Sequence, residues 1–359
     1  MTFYAHFMNF ETRKNKIIEF LKTYGRITSR DVQGLTGGHR NTALQDLKKL
    51  EEAKMIQAFG VGKGTYYQLV QQIIFEPAVI LKIFEKKQKE KLEKYFKQAG
   101  RRPVFFDRVK DLALQADFSV PDLFNQKINV FNSRVNDTKK LLSAHEQKRK
   151  KQKLVIDLSW ASSHIEGNTY SLLETESLIE HQETAHGKKY TEAKMILNHK
   201  QAIEHIRKYK GYKTLHRRGI FELHQILIDG LDVETGLRKQ LVRISNSSFV
   251  SCDNEFQITQ TLDEIITVIN ERESVLEKAV MANLLVAFLQ PFADGNKRTS
   301  RMLGNAILVS HGLLPISFSH TPKDDYIKAM LFFYEKQNPR YFMSLFFNEL
   351  NQSFVEYIG

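Results

Sequence analysis

The alternation of polar and apolar positions divides the chain into three stretches. Across residues 10–72 the runs are short. In ETRKNKIIEFLKTYG, Ile17, Ile18, Phe20 and Leu21 share one helical face, and Gly25 offers a stop. TSRD at 28–31 reads as a capping box, with Asp31 three residues after Thr28, and it opens a short helix to Leu35. NTALQDLKKLEEAKM predicts a third helix with Leu44, Leu47 and Leu50 at core spacing. IQAFGVGKGTYYQLV then switches to two β-like runs around a glycine-rich tip. Residues 73–125 are mixed and basic, and KKQKEKLEKYFKQAGRR predicts an exposed helix there. From 126 to 359 the pattern is one of long amphipathic helices, with a β-like interruption near 238–258. The expected fold class is mainly α. There is no internal repeat and no proline-rich linker.

The last stretch contains FLQPFADGNKRTSR, residues 288–301. An apolar helix, AVMANLLVAFLQ, meets Pro291, which disfavours its continuation. A second apolar helix follows within a few residues, so the backbone turns tightly, as Gly295 and Asn296 permit. The start of a helix carries unpaired N–H groups and partial positive charge. Lys297, Arg298 and Arg301 are misplaced there unless an anion sits among them, and a polyphosphate is the obvious one. Asp294 would repel that anion unless a cation such as Mg²⁺ bridges the two. The plain alternative is a solvated loop whose arginines pair with surface carboxylates.

LVIDLSWASSHIEGN, residues 154–168, shows the opposite mismatch. Ile156, Trp160 and Ser163 share a helix face and Gly167 reads as the stop. Glu166 is then an anion at a helix C-terminus, where negative charge is unfavourable. Glu166 and Arg301 would relieve each other if they met; a solvated Glu166 is the alternative.

Composition narrows the classes. The chain has 359 residues, enough for two or three domains, with 42% hydrophobic and 26% charged residues. No apolar run is long enough to span a membrane, and MTFYAHFMNFETRKNK lacks a signal-type core. Cys252 is the sole cysteine, which excludes an internal disulfide and a cysteine metal site. A cytoplasmic location is the expectation. The net charge of +12 suits polyanionic partners or a solvated basic surface. No HExxH, GxSxG or P-loop pattern is present.

QPFADGNKRTSR resembles the signature of the Fic family, His-Pro-Phe-x-Asp/Glu-Gly-Asn-Gly/Lys-Arg-x-x-Arg, and the resemblance spans roughly residues 126–350. It implies a Fic-type helical bundle with a β-hairpin flap. It also implies transfer of part of a nucleotide, usually AMP from ATP, to a Ser, Thr or Tyr hydroxyl of a protein. Carried over by motif, Asp294 would hold Mg²⁺ and Phe292 would pack in the core. Gly295, Asn296 and Lys297 would line the anion cradle with backbone N–H groups, and Arg298 and Arg301 would hold the outer phosphates. GLRKQLVRISNSSFV, residues 236–250, resembles the flap that docks a protein target at about 238–250 by strand addition, without the usual proline after it. DDYIKAM resembles the segment whose tyrosine, here Tyr326, lies near the base. Ser162 to Gly167 resembles the inhibitory motif Ser-x-x-x-Glu-Gly, whose glutamate pairs with the last arginine and blocks the γ-phosphate. The implied inhibitory helix is about 154–168 and the core about 214–350.

Two positions depart from the family. Gln290 stands where the family has its general-base histidine, by natural divergence or by replacement. Glutamine cannot take a proton, and a general base is worth about 10²–10⁴-fold. Lys297 stands where many relatives have glycine; lysine also occurs in the Doc branch, which transfers phosphate. Three outcomes stay open: impaired AMP transfer, Doc-like phosphotransfer, and a catalytically dead nucleotide sensor that binds DNA. His164, His224 and His311 lie outside the motif and read as structural.

Residues 10–72 resemble a winged helix-turn-helix, on DLKKLEEAKMI and GKGTYYQL. That resemblance would place the third helix in the major groove, with Arg40, Asn41, Thr42 and Gln45 facing bases. Lys48, Lys49 and Lys63 would lie nearer phosphates, against the opposing charge of Glu51 and Glu52. Protein binding or assembly of a homodimer are the other uses of such a module. The expected division is 10–72 winged helix-turn-helix, 73–125 connector and 126–359 Fic domain.

Overall fold

A computed structural model describes residues 8–24, 26–53, 55–69, 86–98, 101, 103–105, 116–120 and 142–358, with scattered positions between 125 and 140. Gly25, most of the connector and the side chain of Lys63 lie outside the described residues. The chain divides into two compact units, Met1–Ile74 and Phe75–Gly359.

The first unit contains α1 (Phe10–Tyr24), β1 (Ile27–Thr28), α2 (Ser29–Thr36), α3 (Arg40–Glu52), β2 (Ile56–Phe59) and β3 (Tyr66–Leu69). The capping box forms: Thr28 Oγ1 accepts from Asp31 N, and the Asp31 carboxylate accepts from Thr28 N at 2.8 Å. The strands pair antiparallel in the order β1-β3-β2. Ile17, Leu21, Val32, Ala43, Leu47 and Leu50 form the core. Leu44 departs from the expectation and is 39% exposed. Ala43 takes its place, because 43, 47 and 50 fall on one face at true helical spacing. Arg13 grips Asp46 with both carboxylate oxygens, at 2.6 and 3.0 Å, and ties α1 to α3.

In the second unit α4 (Lys86–Lys97) and β4 (Val104–Phe105) precede the main helical body. That body runs α5 (Ala144–Ile165), α6 (Leu172–His181), α7 (Tyr190–Lys208), α8 (Arg217–Ile228), β5 (Phe249–Val250) and α9 (Glu255–Asn270). It continues with α10 (Val275–Leu289), α11 (Asn296–Ser310), α12 (Lys323–Lys336) and α13 (Arg340–Ile358). Helix α10 is apolar on every face, and residues 279–289 are all buried, so it forms the centre. Each large side chain so buried contributes about 1.5–3 kcal/mol. Helix α11 lies close against it at Gly304, where any Cβ would collide with Asn283. This contact fixes the two helices whose connection is the 290–295 loop. Around the pair, α5 packs on α7, and α7 packs on α8 and α11.

Residues 236–250 fold back as a sparse hairpin. One antiparallel bridge joins Arg243 to Val250, and Asn246 turns the chain at φ 61°. The ladder stays short because side chains take the carbonyls it would use. Buried Arg238 donates to the carbonyls of Gln240 and Cys252, and Ser251 Oγ donates to that of Val242. Strand β5 pairs instead in parallel with β4. The fully buried carboxylate of Glu335 on α12 fastens this corner. It accepts from Tyr95 Oη at 2.8 Å, Ser247 Oγ at 2.8 Å and Ser248 N at 2.9 Å, and pairs with Arg101 at 3.3 Å.

Candidate functional site

The site is built on the loop between α10 and α11. Helix α10 ends at Leu289, and Gln290 turns left-handed at φ 52°, an uncommon state for a residue with a side chain. Gln290 is buried, and its Nε2 donates to the Ala287 carbonyl at 2.5 Å. The loop's carbonyls are drawn away one by one. Arg238 Nε donates to Gln290 O at 2.5 Å, and Arg238 N donates to Pro291 O at 3.0 Å. The side chain of Asn296 spans Phe292, accepting from its N–H at 2.9 Å and donating to its carbonyl at 2.8 Å. His224 Nε2 donates to Asp294 O at 2.9 Å. Gly295, at φ 81°, then begins α11 with no side-chain cap and no acid in the first turn. The first N–H groups of α11 have no partner within the helix, and the carbonyls of Gln290, Pro291, Phe292 and Asp294 are already occupied.

Three cations gather at this end. Arg301 Nη2 meets Glu166 Oε1 at 2.8 Å, and Lys297 Nζ meets Glu166 Oε2 at 3.1 Å. Arg301 also donates to the Oγ and carbonyl of Ser162, each at 3.0 Å, and to Tyr326 Oη at 3.4 Å. Arg298, 4% exposed, pairs with Asp294 Oδ2 at 3.0 Å. Glu166 caps the C-terminus of α5, and Gly167 follows at φ 95°. Burial alone would push the Glu166 carboxyl up. Arg301, Lys297 and Arg298 outweigh it and lower it to about 2. The carboxylate therefore neutralises two of the three cations at the start of α11.

Two buried histidines line the site. Burial lowers His224 to about 4 and His199 to about 3, against weaker opposing contacts. His199 Nδ1 lies 2.8 Å from the Met195 carbonyl and 3.3 Å from Ser163 Oγ, beside the segment that carries Glu166. Tyr326 is fully buried below Arg301, its ring centre 5.4 Å from the guanidinium. Asp294 has a 69% exposed side chain, with Oδ1 accepting from Gly295 N at 2.6 Å. Among the described residues no three His, Cys, Asp or Glu side chains cluster to hold a metal. One exposed carboxylate fits Mg²⁺ that arrives with phosphate oxygens, which is how that ion is commonly held.

Residues 214–308 match the family model described as Fic/DOC family. The chain carries a Fic domain. It is 26% identical over 174 residues to protein adenylyltransferase fic-1 of Caenorhabditis elegans, covering 46% of this chain and 34% of that protein. It is 27% identical over 198 residues to protein adenylyltransferase Fic of Aedes aegypti, covering 54% and 38%. The matches thus span little more than a third of those relatives' length. The fold is similar to that of a Fic-1 fragment from C. elegans, with TM-score 0.55 and 18% identity, over 96% of this chain and 97% of that one. It is also similar to a Fic domain containing signaling protein from Bacteroides thetaiotaomicron, with TM-score 0.53 and 19% identity, over 64% and 95%.

The structure brings together Ser162, Glu166, Lys297, Arg301 and Tyr326, and it pairs Asp294 with Arg298. Gln290, Gly295 and Asn296 lie on the same loop and helix start, and Gly167 follows Glu166. Sequence reasoning missed Arg238, His224 and the bracing role of the Asn296 side chain. The flap pattern held Arg238, but only the folded loop shows which carbonyls it collects. In the first unit Arg40, Asn41, Gln45, Lys48 and Lys49 are exposed on α3 and Thr42 is half-buried. Lys48 pairs with Glu52 at 3.8 Å, and Lys49 lies 4.9 Å over the Phe10 ring.

Proposed function

We propose that the Fic domain is a protein adenylyltransferase in a resting, self-inhibited state, using Mg·ATP to modify Ser, Thr or Tyr hydroxyls of a protein target. The observation that carries this reading is the double ion pair of Glu166 with Arg301 and Lys297 at the start of α11. A triphosphate would take the same cations. Arg298 and Arg301 would hold the outer phosphates, and the first N–H groups of α11 would receive oxygens. Bound Mg²⁺ would neutralise charge between Asp294 and the phosphates. The target hydroxyl would attack the α-phosphorus, the bond to the bridging oxygen would break, and pyrophosphate would leave. The hydroxyl proton has no titratable acceptor at Gln290, so turnover is slow. The exposed arm at 240–243, with Leu241 on it, is the place for a target segment to align.

Incubation with α- and γ-labelled ATP tests the reaction class. Label from the α position means AMP transfer; label from the γ position alone means Doc-like phosphotransfer. For binding, Arg298→Ala is expected to weaken Mg·ATP by about 1.5–3 kcal/mol, a charge-assisted contact. Asp294→Ala should remove the Mg²⁺-dependent part. Calorimetry giving the parent's affinity for both variants would discard the site.

A second reading concerns the first unit. We infer that it is a winged helix-turn-helix that binds DNA, because α3 presents Arg40, Asn41, Gln45, Lys48 and Lys49 to solvent on one element. Such binding should weaken steeply with salt, and Lys48→Ala should reduce the slope of log K against log salt by about 1. Titration of a random duplex across a salt series reads this. A flat response assigns the unit to protein contacts, including homodimer formation.

A further inference from the structure

We propose that His224 is a positioning residue that aims the Asp294 carboxylate by clamping a single peptide plane. This rests on the reading of Asp294 as the Mg²⁺ ligand. The carbonyl of Asp294 accepts from His224 Nε2 at 2.9 Å. The N–H of Gly295 belongs to the same peptide unit and donates to Asp294 Oδ1 at 2.6 Å. A trans peptide is rigid, so its C=O and N–H point in opposite directions and turn together. Holding the oxygen therefore fixes the N–H, which holds Oδ1 of the carboxylate while Arg298 Nη2 pairs with Oδ2 at 3.0 Å.

Three further contacts make the clamp stiff. The imidazole stacks on Phe292, with centroids 3.6 Å apart and planes within 8°. A Cβ at Gly295 would lie 3.5 Å from the imidazole and 3.1 Å from Ile228, so the loop seats directly on this face of α8. Gly295 is at φ 81°, where the plane could otherwise flip at little cost. A carbonyl only accepts, so Nε2 carries the proton. The ring is 1% exposed, and water does not replace it.

Ordinary core filling would predict that shape alone matters at 224. The donor makes the difference testable. His224→Leu keeps volume and loses the donor; His224→Gln places an amide N–H near the position of Nε2. The measurement is ATP affinity by calorimetry with and without Mg²⁺, with amide exchange at Gly295 in the ligand-free protein. His224→Leu should lose about 10-fold or more of the Mg²⁺-dependent gain, the usual cost of removing support behind a metal ligand. Its metal-free affinity, set by Arg298 and Arg301, should match the parent, and its Gly295 amide should exchange faster. His224→Gln should restore both. Equal loss in the two variants, equal loss with and without Mg²⁺, or an undiminished gain in His224→Leu overturns the assignment. If His224→Leu does not fold, His224→Asn, whose amide stops short of the carbonyl, takes its place. A parent with no Mg²⁺-dependent gain defeats the reading of Asp294 itself, and the role of His224 with it.

Discussion

Gln290→His is expected to raise AMP transfer by about 10²-fold or more, and further when combined with Glu166→Gly. The backbone favours the first change. Position 290 sits at φ 52°, and histidine is several-fold enriched at positive φ among non-glycine residues. The Arg238 contact is to the Gln290 carbonyl, so it survives any side chain. An imidazole there would titrate near neutrality, where a base is most useful. The second change removes the carboxylate that occupies Arg301 and Lys297. One substitution supplies the base and the other frees the phosphate cations, so their effects should exceed either alone. The measurement is incorporation from α-labelled ATP by the parent, both single variants and the double variant, on themselves and on a lysate. A double variant no more active than the parent would end the AMP-transfer reading and favour phosphotransfer or nucleotide sensing.

The pairing of Glu166 with Arg301 is the part of the site most open to sequence reasoning. Each residue carries the wrong charge for its own helix end, and that mismatch is written in local order. The capping box at Thr28 and Asp31 is legible for the same reason. Lys297 reaching Glu166 is not legible, because it depends on how α5 and α11 cross. His224 looks like any histidine on an apolar helix face until its nitrogen meets a carbonyl 70 residues away. Leu44 misleads because a leucine three residues before Leu47 mimics core spacing, whereas Ala43 holds the inward position. The pairing of β5 joins segments about 145 residues apart, and no periodicity signals it.

Acid should destabilise the fold well before carboxylates alone would do so. His224 and His199 are held down to about 4 and about 3 from an ordinary 6.5, and burial is the main cause. Each favours the native state fully above 6.5. That contribution falls as pH drops toward the lowered values. By pH 5 each histidine has lost about 2 kcal/mol, so the two together cost about 4 kcal/mol, near a thousandfold in the unfolding constant. Glu166, lowered from 4.5 to about 2, adds a loss only below 4.5. Denaturant melts at pH 7 and pH 5 measure this, with His224→Gln expected to remove about half of the change. Equal stability at the two pH values would mean that neither histidine is held neutral by the fold.

The short parallel pair between β4 and β5 has a consequence for solubility and selectivity. An uncovered strand edge is a template for any extended chain that passes. Val104 and Phe105 cover the outer edge of Phe249 and Val250, and the Arg101–Glu335 pair anchors the covering segment. As the proposed dock for a target, the hairpin would therefore be one-sided. Its second arm is already paired with β4, so among the described residues a visiting segment would align on the arm that carries Arg243.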